Sequence, residues 1–210
     1  MNEILTIVDN VQAELVVKKS KFICNLIKVE SKQEAEETIK NLKKKYHDAR
    51  HNCIAYRVFE NDKIIEKSSD DGEPSGTAGA PMLNILKKNN LCNILLVVTR
   101  YFGGILLGTG GLVRAYSDVS IYAIEKSEKI TKAEGIQAIV KLEYNNLENF
   151  KNYCKRNNIF ISKIEYSEIV ICKIEFEILQ KEKILNNYKT KEINLIDLQI
   201  LGKKLVNKLK

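Results

Sequence analysis

No apolar run in this sequence approaches the roughly 20 residues that a membrane-spanning helix needs, so no span and no membrane partner are expected. There is no C-x-x-C. The cysteines are odd in number and widely spaced, at 24, 53, 92, 154 and 172, which disfavours a disulfide framework and a zinc ribbon. Each lies in an apolar stretch, where a thiol packs as a small hydrophobe. Neither G-x-S-x-G nor H-E-x-x-H occurs. Early basic residues are missing too: Met1 to Val17 carries Glu3, Asp9 and Glu14 and no Lys or Arg, the wrong pattern for a secretory signal. A cytoplasmic location is expected. Proline and glycine are scarce outside one segment: both prolines and eight of the ten glycines fall between Gly72 and Gly111. Such a concentration marks turns, a backbone that approaches a ligand, or both.

What is present is ordinary for a globular chain. The 210 residues fit one large or two small domains, and 44% hydrophobic with 29% charged residues is enough apolar side chain to order them. The net charge of +7 is uneven. Residues 1–134 hold 20 Lys and Arg against 18 Asp and Glu, whereas residues 135–210 hold 14 against 9. The lysine-rich final third fits either a composition bias or contact with an anionic partner.

Leu15 to Val17 and Phe22 to Val29 predict two strands around the polar break at Lys18 to Lys21. Ser31 and Glu34 form an S-x-x-E capping box for a helix with Ala35, Ile39, Leu42 and Tyr46 on its buried stripe. Residues 52–59 and 63–67 predict a hairpin turning at Glu60-Asn61-Asp62. A polar loop, a short helix with Met82, Ile85 and Leu86 inward, and the apolar run 93–99 follow. That run reads as a strand buried on both faces. A second helix begins near Thr109. From Gly135 the pattern changes: a half-buried strand opening at Gly135, a helix, two strands (159–166 and 169–178), a helix near 181–189 and a strand within 193–206. This β-α-β-β-α-β order is the ferredoxin-like arrangement. The boundary is placed near 127–135.

Four groups could carry chemistry. Asp70-Asp71-Gly72-Glu73-Pro74-Ser75-Gly76-Thr77 sets three carboxylates and two hydroxyls before a helix that Ser75 or Thr77 could cap. The carboxylates could hold a hard cation such as Mg²⁺, but the EF-hand spacing is lacking. Arg100, Gly103, Gly104, Gly108, Thr109, Gly110, Gly111 and Arg114 form a strand, a glycine-rich loop and a helix start, an arrangement that favours an anion or phosphate. It is neither a P-loop, since Thr109-Gly110 stands where Lys-Ser/Thr is required, nor a G-x-G-x-x-G, since Val113 occupies the third glycine position. Tight helix-on-sheet packing is the structural alternative. His51 and Cys53 share a strand face, and His51 at a strand start can contact a ligand, though nothing marks Cys53 as an activated nucleophile. Last, Lys203, Lys204, Lys208 and Lys210 fit a lysine-blunted strand edge or a nucleic-acid contact.

Two blocks are recognisable. Ser69 to Leu83 (SDDGEPSGTAGAPML) and Leu95 to Ser117 (LLVVTRYFGGILLGTGGLVRAYS) closely resemble the signature blocks of the Impact/YigZ family, and KKSKFI (Lys18 to Ile23) and HNCIAYR (His51 to Arg57) match in order and spacing. The resemblance implies an α+β protein. Residues 1–130 would form an α/β domain similar to the second domain of ribosomal protein S5. Residues 135–210 would form a ferredoxin-like domain similar to parts of translation elongation factor G. Both analogies point toward RNA and the ribosome. Eukaryotic Impact proteins regulate translation through protein partners by way of an additional domain. The family core begins within the first 20 residues here, so that partner mode is not carried over.

The resulting expectation is a cytoplasmic, translation-linked regulator without catalysis that binds RNA or a phosphate-bearing ligand. Arg100 and Arg114 would contact phosphate, the amides of Gly108 to Gly111 would cradle it, and Asp70, Asp71 and Glu73 would shape the site or hold Mg²⁺. The alternative is an enzyme acting on a small phosphorylated or nucleotide substrate, with Asp70, Asp71, Glu73, His51 and Thr99 as acid–base groups. A protein-interaction module with the acidic loop facing a basic partner is a third reading.

Overall fold

A computed structural model describes residues 3–61 and 63–208; Asp62 of the expected turn and Lys210 of the tail lie outside the described residues. The chain divides into two compact units, Glu3–Ile130 and Thr131 onward.

The first unit contains β1 (Glu3–Ile7), β2 (Val11–Val17), β3 (Ser20–Lys28), α1 (Lys32–Lys45), β4 (His51–Glu60), β5 (Lys63–Ser69), α2 (Gly79–Lys88), β6 (Ile94–Tyr101) and α3 (Gly108–Lys126). Strands β2-β3-β6-β4-β5 form one sheet in which every pairing is antiparallel. β6 is the central strand, and its apolar run has a direct cause. Leu95 and Val97 pack with Ile39 of α1 on one face, while Leu96 and Val98 pack with Met82 of α2 and Tyr116 of α3 on the other. Burial on both faces, rather than parallel pairing, removes the polar alternation.

The polar break at Lys18-Lys19 is a two-residue turn, with Val17 opposite Ser20 and φ of +44° and +65°. Two-residue hairpins favour positive φ at both central positions because their twist then matches that of the strands. The expected capping box of α1 is displaced. The Ser31 hydroxyl accepts from the Glu34 amide at 3.1 Å, but the Glu34 carboxylate accepts from the Glu30 amide at 2.7 Å, one residue before the N-cap.

The second unit contains most of β7 (Lys129–Leu142), then α4 (Leu147–Arg156), β8 (Phe160–Tyr166), β9 (Val170–Glu177), α5 (Lys181–Lys189) and β10 (Asp197–Asn207). The order is β-α-β-β-α-β. Within residues 131–210 the strands lie β10-β7-β9-β8, all antiparallel. Ile136, Ala138, Val140 and Leu142 of β7 join Cys172, Ile174 and Phe176 of β9 and Phe150 and Cys154 of α4 in the core. Gly135 does not open a strand, as the sequence pattern suggested; it lies inside β7. A Cβ there would meet Val206 Cγ2 at 2.4 Å and the Phe176 carbonyl oxygen at 2.6 Å, so the glycine lets β10 close on the strand. In the lysine-rich tail Lys203 pairs with Glu134 at 2.7 Å and Lys204 with Glu175 at 2.8 Å.

Candidate functional site

Each carboxylate of the 70–73 loop has its own partners. Asp70 accepts from the amides of Gly76 (2.9 Å), Ala78 (2.9 Å) and Gly79 (2.8 Å). It therefore caps α2 in place of Ser75 or Thr77: α2 has no side-chain cap of its own at Ala78, Ser75 is exposed, and the buried Thr77 donates its hydroxyl to the Pro74 carbonyl at 2.7 Å. Burial raises the Asp70 pKa, but the three amides outweigh it and hold the carboxyl below the usual carboxylate range. Asp71 accepts from the Asn52 amide at 2.7 Å and pairs with Lys43 of α1 at 2.5 Å. Gly72 turns with φ +88° against the His51 ring.

Glu73 is buried. Its Oε1 accepts from Arg100 Nη1 at 2.8 Å and from the Tyr116 hydroxyl at 2.9 Å. Arg100, 5% exposed at the end of β6, also donates through Nη2 to Ser20 Oγ at 3.3 Å, and its guanidinium lies 5.5 Å from the rings of both Phe22 and Phe102. Its Nε is buried without a partner among the described residues. Ser20 Oγ further accepts from the Gly103 amide at 3.1 Å. Gly103 is obligatory, because a Cβ would fall 2.0 Å from the Lys19 carbonyl carbon. Burial is the main cause that pushes the Tyr116 phenol far up, so it stays a neutral donor to Glu73.

His51 Nδ1 lies 2.9 Å from the Asp71 carbonyl oxygen. A carbonyl only accepts, so Nδ1 carries the proton and Nε2, 4.0 Å from Glu73 Oε1, presents its lone pair in the neutral ring. The surroundings of Cys53 do not activate it: burial above all pushes its thiol up to about 12, and its Sγ donates to the Asp70 carbonyl at 3.0 Å. Thr99, held out as an acid–base group, is fully buried and donates to Asn52 Oδ1 at 2.7 Å.

His51, Glu73 and Arg100 line a cleft of about 410 Å³. Arg50, His51, Glu73 and Arg100 form its polar wall, and Pro74, Phe102, Leu106, Leu107 and Leu112 its apolar wall. Gly108 and Thr109 line it where α3 begins, and that helix start has no side-chain cap. The structure thus brings His51, Glu73, Arg100, Gly108 and Thr109 together. Gly104, Gly110, Gly111 and the exposed Arg114 do not line the cleft, nor do Asp70, Asp71, Ser75 and Thr77. Among the described residues no group of three His, Cys, Asp or Glu is placed to hold a metal ion. Sequence reasoning missed Ser20, Arg50, Phe102 and Leu106, and it read Tyr116 as core alone. Ser20 carried one signal: a small hydroxyl within a lysine-rich turn, in a block otherwise built of long side chains.

The architecture defines a class: an antiparallel α+β protein of two units whose first unit carries a cleft between a buried Arg–Glu pair and a glycine-flanked helix start. The model described as the Impact N-terminal domain matches residues 18–124, which span both glycine-rich blocks and the Ser20 turn. The chain belongs to the Impact family. It is 40% identical to the IMPACT family member YvyE of Bacillus subtilis over 188 residues, covering 90% of this chain and 84% of that one. It is 34% identical to the IMPACT family member YigZ of Escherichia coli over 159 residues, covering 75% and 78%. A crystal structure of a hypothetical protein, 29% identical, superposes with a TM-score of 0.66 over 96% of this chain and 98% of that one.

Proposed function

We propose that this protein is a cytoplasmic, translation-linked regulator that acts without catalysis by binding RNA or another phosphate-bearing ligand in the first-unit cleft. The observation that carries the reading is the start of α3. Gly108 and Thr109, where α3 begins without a side-chain cap, line the cleft together with Arg50 and the buried Arg100. A helix N-terminus concentrates donors and a positive dipole end, which favour an anion. The nearby carboxylates do not oppose this, because amides, Lys43 and Arg100 already neutralise them. The apolar wall suits the part of the ligand that carries no charge. Translation enters through the family, whose eukaryotic members regulate it. In the same reading the first unit is similar to domain 2 of ribosomal protein S5. The strand order β10-β7-β9-β8 supports a ferredoxin-like second unit.

The test is crosslinking of the full chain in lysate followed by sequencing of bound RNA, with Arg50→Ala/Leu106→Glu as the comparison. These two residues sit at the cleft without supporting the Arg100–Glu73 pair. Transfer or ribosomal RNA that this variant loses is the expected result; equal recovery by both proteins refutes an RNA role for the cleft.

One observation favours a second reading, an enzyme acting on a small phosphorylated substrate. The Asp71 carbonyl fixes the tautomer of His51, a cleft-lining residue, and leaves its Nε2 lone pair free for the part of a general base. Phosphate release from a panel of nucleotides and sugar phosphates, abolished in His51→Asn with binding retained, would replace the first reading with this one.

A further inference from the structure

The second unit carries two adjoining concavities, of about 620 Å³ and 520 Å³, that share Asn146, Ile193 and Asn194. They run between α4 and the segment that follows α5. The floor is apolar, with Phe150, Tyr153 and Ile193 buried. The rim has a different chemistry. Asn149 and Asn152 of α4 join Asn146 and Asn194, and none of these four carboxamides has a hydrogen-bond partner within the chain among the described residues.

Cations line the rim as well. Among the lysines elsewhere in this unit, Lys141 pairs with Asp197 (3.7 Å), Lys151 with Glu148 (2.7 Å), Lys163 with Glu165 (2.5 Å) and Lys204 with Glu175 (2.8 Å), while Lys173, Lys181 and Lys183 form no ion pair among the described residues. Lys155, Lys189 and Lys191 line the concavities and form no ion pair among the described residues, and Arg156 reaches only the Asn152 carbonyl, at 3.4 Å. Glu143 and Glu192 are the acids of the lining. Cations collect at helix C-termini for the sake of the dipole alone, so their placement is half of the case. The other half is the row of carboxamides. Each offers a donor and an acceptor, the pattern that pairs with base edges and with 2′-hydroxyls, while unpaired cations match phosphates.

We propose that this groove is a second nucleic-acid site, taking a short stretch of single-stranded RNA with its phosphates on Lys155, Arg156, Lys189 and Lys191 and its sugar or base edges on the four asparagines. The site's relevance to translation rests on the proposed function; its binding chemistry does not, since no residue of the first-unit cleft takes part.

The test is fluorescence anisotropy of the full chain with a labelled mixed-sequence single-stranded RNA of about a dozen nucleotides, over a salt series, with DNA of the same sequence alongside. Lys155→Ala/Lys191→Ala should weaken binding on the order of tenfold and reduce the salt slope by about 1.4, two single-strand phosphate contacts at about 0.7 each. Asn149→Ala/Asn152→Ala should weaken binding and leave the slope unchanged. Lys141→Ala/Lys163→Ala removes the same charge from paired positions and should do neither. Tighter binding of RNA than of DNA is expected from the 2′-hydroxyl contacts. The proposal fails if the chain does not bind the RNA, if the paired-lysine control weakens it equally, if DNA binds as tightly, or if only Arg50→Ala/Leu106→Glu abolishes binding. That last outcome would leave the first-unit reading standing, whereas loss confined to the groove variants would remove it and keep this one.

Discussion

Replacing Asp70 tests how the glycine-rich loop is built. Its carboxylate serves three amides at 2.8–2.9 Å, two of them at the start of α2, which has no other cap. A hydrogen bond to a charged group contributes about 1.5–3 kcal/mol net, and a lost helix cap costs about 1 kcal/mol. The three bonds share one acceptor group and do not add independently. Asp70→Ala should therefore cost about 3 kcal/mol, and at about 2–4 °C per kcal/mol the unfolding temperature should fall by about 6–12 °C. In Asp70→Asn one carbonyl oxygen can still serve Ala78 and Gly79, but the new NH₂ group faces the Gly76 donor, so about half of the loss is expected. The pH dependence has a definite sign. The native carboxyl is held below its ordinary value, so its contribution is full above about pH 4 and disappears as the pH falls through the native value. Thermal unfolding followed by circular dichroism, at neutral pH and down an acid series, reads both effects. An Asp70→Ala protein within about 2 °C of the parent at neutral pH, or a gap that persists unchanged to about pH 2, refutes the capping role.

Glu73→Ala leaves the Arg100 guanidinium buried without its carboxylate and should cost about 3–5 kcal/mol in urea unfolding, whereas Glu73→Gln should cost less. Gly103→Ala forces the Lys19 backbone aside and should lose about 2–4 kcal/mol, while Ala at Gly110, which has open space around it, should change stability by well under about 1 kcal/mol; equal losses would contradict the close approach. All five cysteines are buried, and burial pushes the Cys24, Cys53 and Cys154 thiols up to about 12. Ellman's reagent at pH 8 should therefore label none of them in the native protein and all five in denaturant.

The sequence was most legible where period and burial agree. The 93–99 run announced a strand covered twice, and β-α-β-β-α-β could be read from alternation and helical stripes alone. Gly135 misled because a glycine usually interrupts a strand; here it admits Val206, a partner more than 70 residues away that no local pattern reveals. The candidate site was half legible. His51, Glu73, Arg100, Gly108 and Thr109 were marked by type and spacing, and they do converge. Whether a carboxylate faces a ligand or a neighbouring amide depends on the fold of the loop, and spacing gave no sign that Asp70 would hold three amides and Asp71 the Asn52 amide and Lys43. Ser20 and Tyr116 were invisible for the same reason: their hydroxyls meet the Arg–Glu pair only after β3, β6 and α3 have packed.

Loops rich in Gly, Ser and Asp commonly accept inserted peptides or new chain ends, since little of the core depends on them. The loop at 68–76 shares that composition and would not accept either at residues 70–73. Within four residues the chain fastens to α2 through Asp70, to β4 and α1 through Asp71, and to β6 and α3 through Glu73. Helices from both faces of the sheet are tied at this one crossing. A cut or an insertion here would release both layers of the first unit together, at a place that composition alone would mark as dispensable.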